Sequence, residues 1–226
     1  MNEYSVFDIL GPIMIGPSSS HTAGAARLGK VARDIAGSNF NFVTFVLHGS
    51  FAMTYKGHGT DKALVAGILG MEPYDERLRD SLKIAEEMGI KVAFVETDLG
   101  DYHENTVKII FNKNDGSQVE IIGSSIGGGS IIITNIDGYN VKITGDYPTL
   151  IIGHNDKKGV ISKVTTVLAQ NEINIAIMKV KRKKKGKEAS MIIETDSEIP
   201  SELVEQLTNI EDILSVKAIN PVKKRC

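Results

Sequence analysis

The stretch Gly16-Pro17-Ser18-Ser19-Ser20-His21-Thr22-Ala23-Gly24 gathers three hydroxyls and an imidazole directly behind a proline. Pro17 stops whatever precedes it, and Ser20 is placed to cap the helix that follows. A helix N-terminus carries partial positive charge and free N–H groups, which suit a carboxylate or a phosphate. Taken alone, the stretch is equally an ordinary capped helix with a solvated histidine. A second histidine lies in Tyr55-Lys56-Gly57-His58-Gly59-Thr60-Asp61, a few residues after His48-Gly49-Ser50. His58 stands between two glycines that offer it no local packing, just before a helix start. An imidazole titrates at about 6.5 when unperturbed, which suits proton transfer near neutral pH. The plainer reading is a flexible loop histidine. The third stretch is Ser124-Ser125-Ile126-Gly127-Gly128-Gly129-Ser130. Its glycines let backbone amides approach a ligand or form an anion-binding nest, or else they mark a strand bend.

The elements that must hold these residues follow from hydrophobic spacing. Leu28, Val31, Ala32 and Ile35 form the stripe of an amphipathic helix. Gly24, Ala25 and Gly29 would let another backbone come close to it. Phe42 to Leu47 reads as a buried strand. Thr60 is placed to cap a helix carrying Leu64, Val65, Ile68 and Leu69, ended by Gly70. Leu78, Leu82 and Ala85 mark a further helix. Val92 to Val95, Val107 to Phe111 and Val119 to Ile122 read as strands, the last two joined around Asp115-Gly116. Ile131 to Thr134 and Val141 to Ile143 form another such pair around Asp137-Gly138.

A boundary falls at Gly145-Asp146-Tyr147-Pro148, poor ground for regular structure. It separates an α+β domain over 1–146 from a second domain over 148–226. In the second, strands at Thr149 to Ile152, Ile173 to Val180, Ala189 to Glu194 and Ile213 to Ile219 alternate with two helices. Val160, Ile161, Val164, Val167 and Leu168 mark the first helix; Leu203, Val204 and Leu207 mark the second. The order β-α-β-β-α-β is the ferredoxin-like arrangement.

Composition bounds the function. The 226 residues carry a formal net charge of −2 and 42% apolar residues, a globular balance with no overall polyanion-binding surface. No apolar run approaches the roughly 18 residues of a membrane span. The first residues lack the basic start of a secretory signal, so a reducing cytoplasm is the expected location. Lys179 to Lys187 holds six lysines and one arginine. On a hairpin turn without interleaved aromatics, that run reads as solvated rather than as a nucleic-acid site. The chain has one cysteine, Cys226, and an iron–sulfur cluster needs three or four thiolates. Cys226 itself reads as a terminal bystander.

Gly-Pro-Ser-Ser-Ser-His-Thr, Lys-Gly-His-Gly-Thr-Asp and Ser-Ile-Gly-Gly-Gly, in that order, resemble the small domain of bacterial iron–sulfur L-serine dehydratases. The second half resembles an ACT domain. In it Asn155-Asp156-Lys157-Lys158-Gly159 matches the amino-acid-binding turn and Asn174 the start of the second strand. The resemblance implies the beta chain of a split enzyme whose 4Fe–4S cluster is ligated by cysteines of a partner alpha chain. It implies conversion of L-serine to pyruvate and ammonia without pyridoxal phosphate, the partner's iron acting as Lewis acid. His58 would then be the first candidate for proton transfer and His21 the second. Ser18, Ser19, Ser20, Thr22, Thr60, Gly127, Gly128 and Gly129 would line the substrate site, with Asp61 orienting a histidine or the ammonium. A regulatory amino acid would meet Asn155, Asp156, Gly159 and Asn174, and the ACT half would associate with a second copy. A rival resemblance is the allosteric substrate-binding and ACT portion of some 3-phosphoglycerate dehydrogenases, which would make the chain a non-catalytic sensor.

Overall fold

The structure, a computed structural model, describes residues 13–182 and 185–220; Cys226 lies outside them. Between Thr144 and Gly145 the chain divides into two compact units, each α+β.

The first unit opens with a π-helical turn, Ser19–Gly24, running straight into α1 (Ala25–Ala36). Strand β1 (Phe40–Leu47) leads to α2 (Gly49–His58), α3 (Thr60–Ile68), a 3-10 turn and α4 (Ser81–Glu87). Then come β2 (Lys91–Glu96), β3 (Thr106–Lys113), β4 (Gln118–Gly127), β5 (Ser130–Ile136) and β6 (Tyr139–Ile143). The six-stranded sheet has the order β2-β1-β3-β4-β5-β6. Only β1 and β2 run parallel, because the helices between them carry the chain back across the sheet.

The stripe Leu28, Val31, Ala32 and Ile35 is buried, as its spacing requires. Helices α1 and α3 touch backbone to backbone. A Cβ on Gly29 would lie 3.1 Å from Gly67 Cα, and one on Gly67 would lie 2.8 Å from Gly29 Cα. Beneath them, Val43, Phe45 and Leu47 of β1 sit opposite Phe111, Ile109 and Val107 of β3. All six are buried, and each large side chain stabilises the fold by about 1.5–3 kcal/mol. The same face continues on β4 through Ile121 and Gly123, where a Cβ would meet Leu28 Cδ2 of α1 at 2.7 Å. One more step along that face brings Asn105 opposite Ser125, whose N–H donates to the Asn105 carbonyl at 3.0 Å.

Three local expectations change. Ser18, not Ser20, is the N-cap, and Ser20 lies inside the π turn. Gly59, not Thr60, occupies the N-cap of α3, and Thr60 is its first residue. His58 ends a helix rather than sitting in a loop. The unexpected helix α2 buries only Phe51 and Tyr55, one turn apart, so its sequence shows no long apolar stripe.

The second unit runs β7 (Thr149–Asn155), α5 (Val160–Gln170), β8 (Ile175–Arg182), β9 (Glu188–Thr195), α6 (Ser201–Thr208) and β10 (Ile213–Ile219). Its sheet order is β10-β7-β9-β8, the ferredoxin-like topology read from the sequence. Leu150, Ile152, Met191 and Ile193 of the sheet bury against Val160, Val164 and Leu168 of α5 and Leu203 and Leu207 of α6.

Candidate active site

The π turn places the first histidine. Ser18 has extended backbone, and its Oγ accepts the His21 N–H at 3.1 Å. The Ser18 carbonyl accepts N–H groups from Thr22 at 2.9 Å and from Ala23 at 3.4 Å. The Ala23 bond spans five residues and opens the turn wider than an α-helix does. At the end of this turn Gly24 rests on Ser125 of β4, where a Cβ would lie 2.8 Å from Ser125 Cβ.

His21 is held on several sides. Its Nε2 shares a hydrogen bond with Ser50 Oγ at 3.1 Å, and its Nδ1 lies 3.5 Å from Ser18 Oγ. The ring meets Phe51 edge-on at 5.3 Å and the ring of His58 at 4.9 Å between centroids. Burial lowers its pKa below the ordinary 6.5, and repulsion from His58 lowers it further against the opposing Ser50 contact. His21 is therefore held towards the neutral form. His58 is exposed at the end of α2, and its ring has no hydrogen-bond partner among the described residues. Gly59, left-handed at φ 69, turns the chain from α2 into α3 at this point. Thr22 Oγ1 donates to the His58 carbonyl at 3.5 Å, tying the π turn to the end of α2.

Other sequence candidates divide. Ser18 caps the π turn, and Ser19, Ser20 and Thr22 lie within it together with His21. Thr60 is fully buried and its Oγ1 has no partner. Asp61 Oδ1 accepts the N–H of Lys62 at 2.8 Å, a local turn that joins it to no histidine. Gly127, Gly128 and Gly129 form the β4–β5 hairpin with φ of 100, 59 and 78. Sequence reasoning gave no role to Ser50 or Asn105. Neither carries a local signal, because each matters through a partner far along the chain.

The second unit ties its polar turn up internally. Asn155 Nδ2 donates to Asp212 Oδ1 at 2.9 Å, which Lys157 Nζ also meets at 2.8 Å. Asp156 takes the Gly186 N–H at 2.8 Å and Arg182 Nε at 3.0 Å from the β8–β9 hairpin. Gly159 caps α5 at φ 88, and a Cβ there would meet nothing within 4 Å. Asn174 precedes β8 and donates to Asp196. It lies at the far end of the sheet from Asn155, about 20 Å away at 3.3 Å per residue. Within one copy these residues therefore do not form one site.

An α+β unit that sets a histidine of a hydroxyl-rich turn against a histidine at a helix end, followed by a βαββαβ unit, defines the class. The sequence profile of the family described as serine dehydratase beta chain matches residues 5–136, and that of the ACT domain matches residues 149–212. The chain belongs to the serine dehydratase beta chain family. It is 44% identical to the L-serine dehydratase beta chain of Peptoniphilus asaccharolyticus, over 97% of this chain and 99% of that one. A "Probable L-serine dehydratase, beta chain" of Bacillus subtilis (strain 168) is 45% identical, over 97% and 99%. The D-3-phosphoglycerate dehydrogenase of the same Bacillus is 34% identical over 61% of this chain but only 26% of that protein. The sensor reading is accordingly not favoured.

Proposed function

We propose that this chain is the histidine-bearing half of a two-chain L-serine dehydratase, which converts L-serine to pyruvate and ammonia. The observation that carries the reading is the His21–His58 pair, 4.9 Å between ring centroids, which brings the end of α2 against the serine-bearing π turn. His58 is open to a substrate and takes the α-proton. His21, kept towards neutral, sits beside it without adding a second fixed charge. The π-turn hydroxyls of Ser18, Ser19 and Ser20 bind the substrate carboxylate. Loss of the α-proton and of the β-hydroxyl, together one water, leaves an enamine that tautomerises to an imine. A second water then releases ammonia and pyruvate.

The family is associated with a 4Fe–4S cluster, which needs three or four thiolates. This chain has a single cysteine, and no group of three potential metal ligands is present among the described residues. Its own residues do not fit the cluster, so we assign the cluster and activation of the departing hydroxyl to a partner alpha chain. Co-expression with a cysteine-rich partner and an assay of pyruvate from L-serine tests this. Activity from the pair alone is expected. A cluster reconstituted on this chain in isolation, or a pair without activity, overturns it.

The turn Asn155–Gly159 we read as the place where the ACT half senses an amino acid, L-serine first. The support is the unfilled space at Gly159, at the start of α5. Asn174 would join that site only from a second copy. Calorimetry of the full chain with L-serine should detect binding that Asn155→Ala removes. If no heat is seen, the ACT half serves association alone.

A further inference from the structure

We propose that Asn105 Oδ1 and Ser125 Oγ hold the ammonium group of the substrate, from the sheet floor beneath the π-helical turn. This rests on the dehydratase reading above and names two contacts which that reading does not contain.

The register places both side chains. Thr106 pairs with Ser124, so Asn105 and Ser125 are opposite one another on the next step. Ser125 lies on the same face as Gly123, the face that α1 covers, and Asn105, in the turn before β3, accepts the Ser125 N–H. The covering elements there are the two that carry the histidine site. Gly24 of the π turn rests directly on Ser125. On the other side, a Cβ on Gly49 at the start of α2 would lie 2.9 Å from Glu104 Cα. The next residue on α2 is Ser50, the hydrogen-bond partner of His21.

Both polar atoms are buried without a hydrogen-bond partner among the described residues. A buried polar atom left unbonded costs about 1–3 kcal/mol, and such atoms are rare in folded proteins. Here the two belong to residues joined by the Ser125 N–H, with Ser125 packed against the turn that carries His21, and they do not bond each other. An amide oxygen can only accept, and a hydroxyl can accept, so the pair suits a ligand rich in N–H donors. A carboxylate has none. An ammonium group has three, and an amino acid carries one beside the α-carbon whose proton must leave. The pair is closed off in this structure, so the turn above must shift to admit the group.

The test uses the assembled two-chain enzyme and two ligands. L-serine is the substrate; 3-hydroxypropionate, the same molecule without its ammonium, serves as inhibitor. Asn105→Ala and Ser125→Ala should each raise KM for L-serine by roughly 10–100-fold, the range for a hydrogen bond to a charged group. Inhibition by 3-hydroxypropionate should stay within about threefold of the parent. Ser125→Ala should also leave the thermal midpoint of the free chain unchanged or higher, because it deletes an unbonded hydroxyl. Equal weakening of both ligands, an unchanged KM, or a marked fall in that midpoint would each overturn the proposal. A parent complex inactive on L-serine sinks the dehydratase reading itself. An active parent with indifferent variants sinks only the ammonium site.

Discussion

The two units treat the polar side chains of their candidate sites differently, although the ACT unit too buries one unbonded atom, His154 Nε2. In the ACT unit Asn155, Asp156, Lys157 and Asn174 all end on partners from neighbouring turns. In the histidine unit the rings and hydroxyls stop short. Among the described residues the His58 ring has no hydrogen-bond partner, and Thr60, Asn105 and Ser125 each bury an unbonded oxygen. A structural turn gains stability by closing its hydrogen bonds. A reacting site keeps groups open for a ligand and accepts the cost in stability. The largest expected effect tests that difference at its centre. His58→Ala should lower kcat roughly 10²–10⁴-fold in the assembled enzyme while the two chains still co-purify. A kcat within a few-fold of the parent would move proton transfer to His21 or to the partner chain.

Two glycines sharpen the comparison on the scale of folding. Gly24 has ordinary helical backbone at φ −64, and its need for hydrogen is purely steric. Gly24→Ala drives a methyl into Ser125 and should cost about 1–3 kcal/mol, measured by urea unfolding. Adding Ser125→Ala should recover only part, because the Cβ of residue 125 remains 2.8 Å from the new methyl. Gly159 is the converse, with open space but left-handed backbone at φ 88. Gly159→Ala should cost about 1–2 kcal/mol from backbone strain alone, and no second substitution nearby should recover it. Full recovery in the first pair, or recovery in the second, would show that packing and strain have been assigned to the wrong glycines.

What the sequence disclosed follows the same division. The ACT unit was legible nearly element by element, because Val160, Val164 and Leu168 or Leu150 and Ile152 each repeat the period of their own element. The stripe on α1 and the small residues that let α3 approach it were equally legible. Helix α2 was not, since Phe51 and Tyr55 are its only buried side chains. Ser18 took the cap expected of Ser20 because the π turn inserts an extra residue, which no periodicity records. The histidine pair could be named from types and spacing. Its surroundings could not, because Ser50 reaches His21 across 29 residues and Asn105 meets Ser125 only through strand pairing.

The smallest effect separates the two units by pH. His21 has a lowered pKa, from burial first and from His58 second. At pH well above the ordinary 6.5 both folded and unfolded chains hold it neutral, and it contributes no slope. As pH falls through 6.5, the unfolded chain takes up a proton that the folded chain resists. Stability of the histidine unit must therefore decline as pH drops below neutrality, and His21→Gln should flatten that decline. The ACT carboxylates act in a lower window. A hydrogen bond from the Gly186 N–H lowers Asp156, and Lys157 followed by Asn155 lowers Asp212. Their contribution is present above the ordinary 3.8 and is lost as pH falls below it. Thermal unfolding followed from pH 8 down to about pH 3 should show two slopes of the same sign, the first flattened by His21→Gln and the second reduced, not removed, by Asp212→Asn, because Asp156 still contributes. A near-neutral slope that survives His21→Gln would place its source in another group, and burial of His21 would then not be what holds it towards the neutral form beside His58.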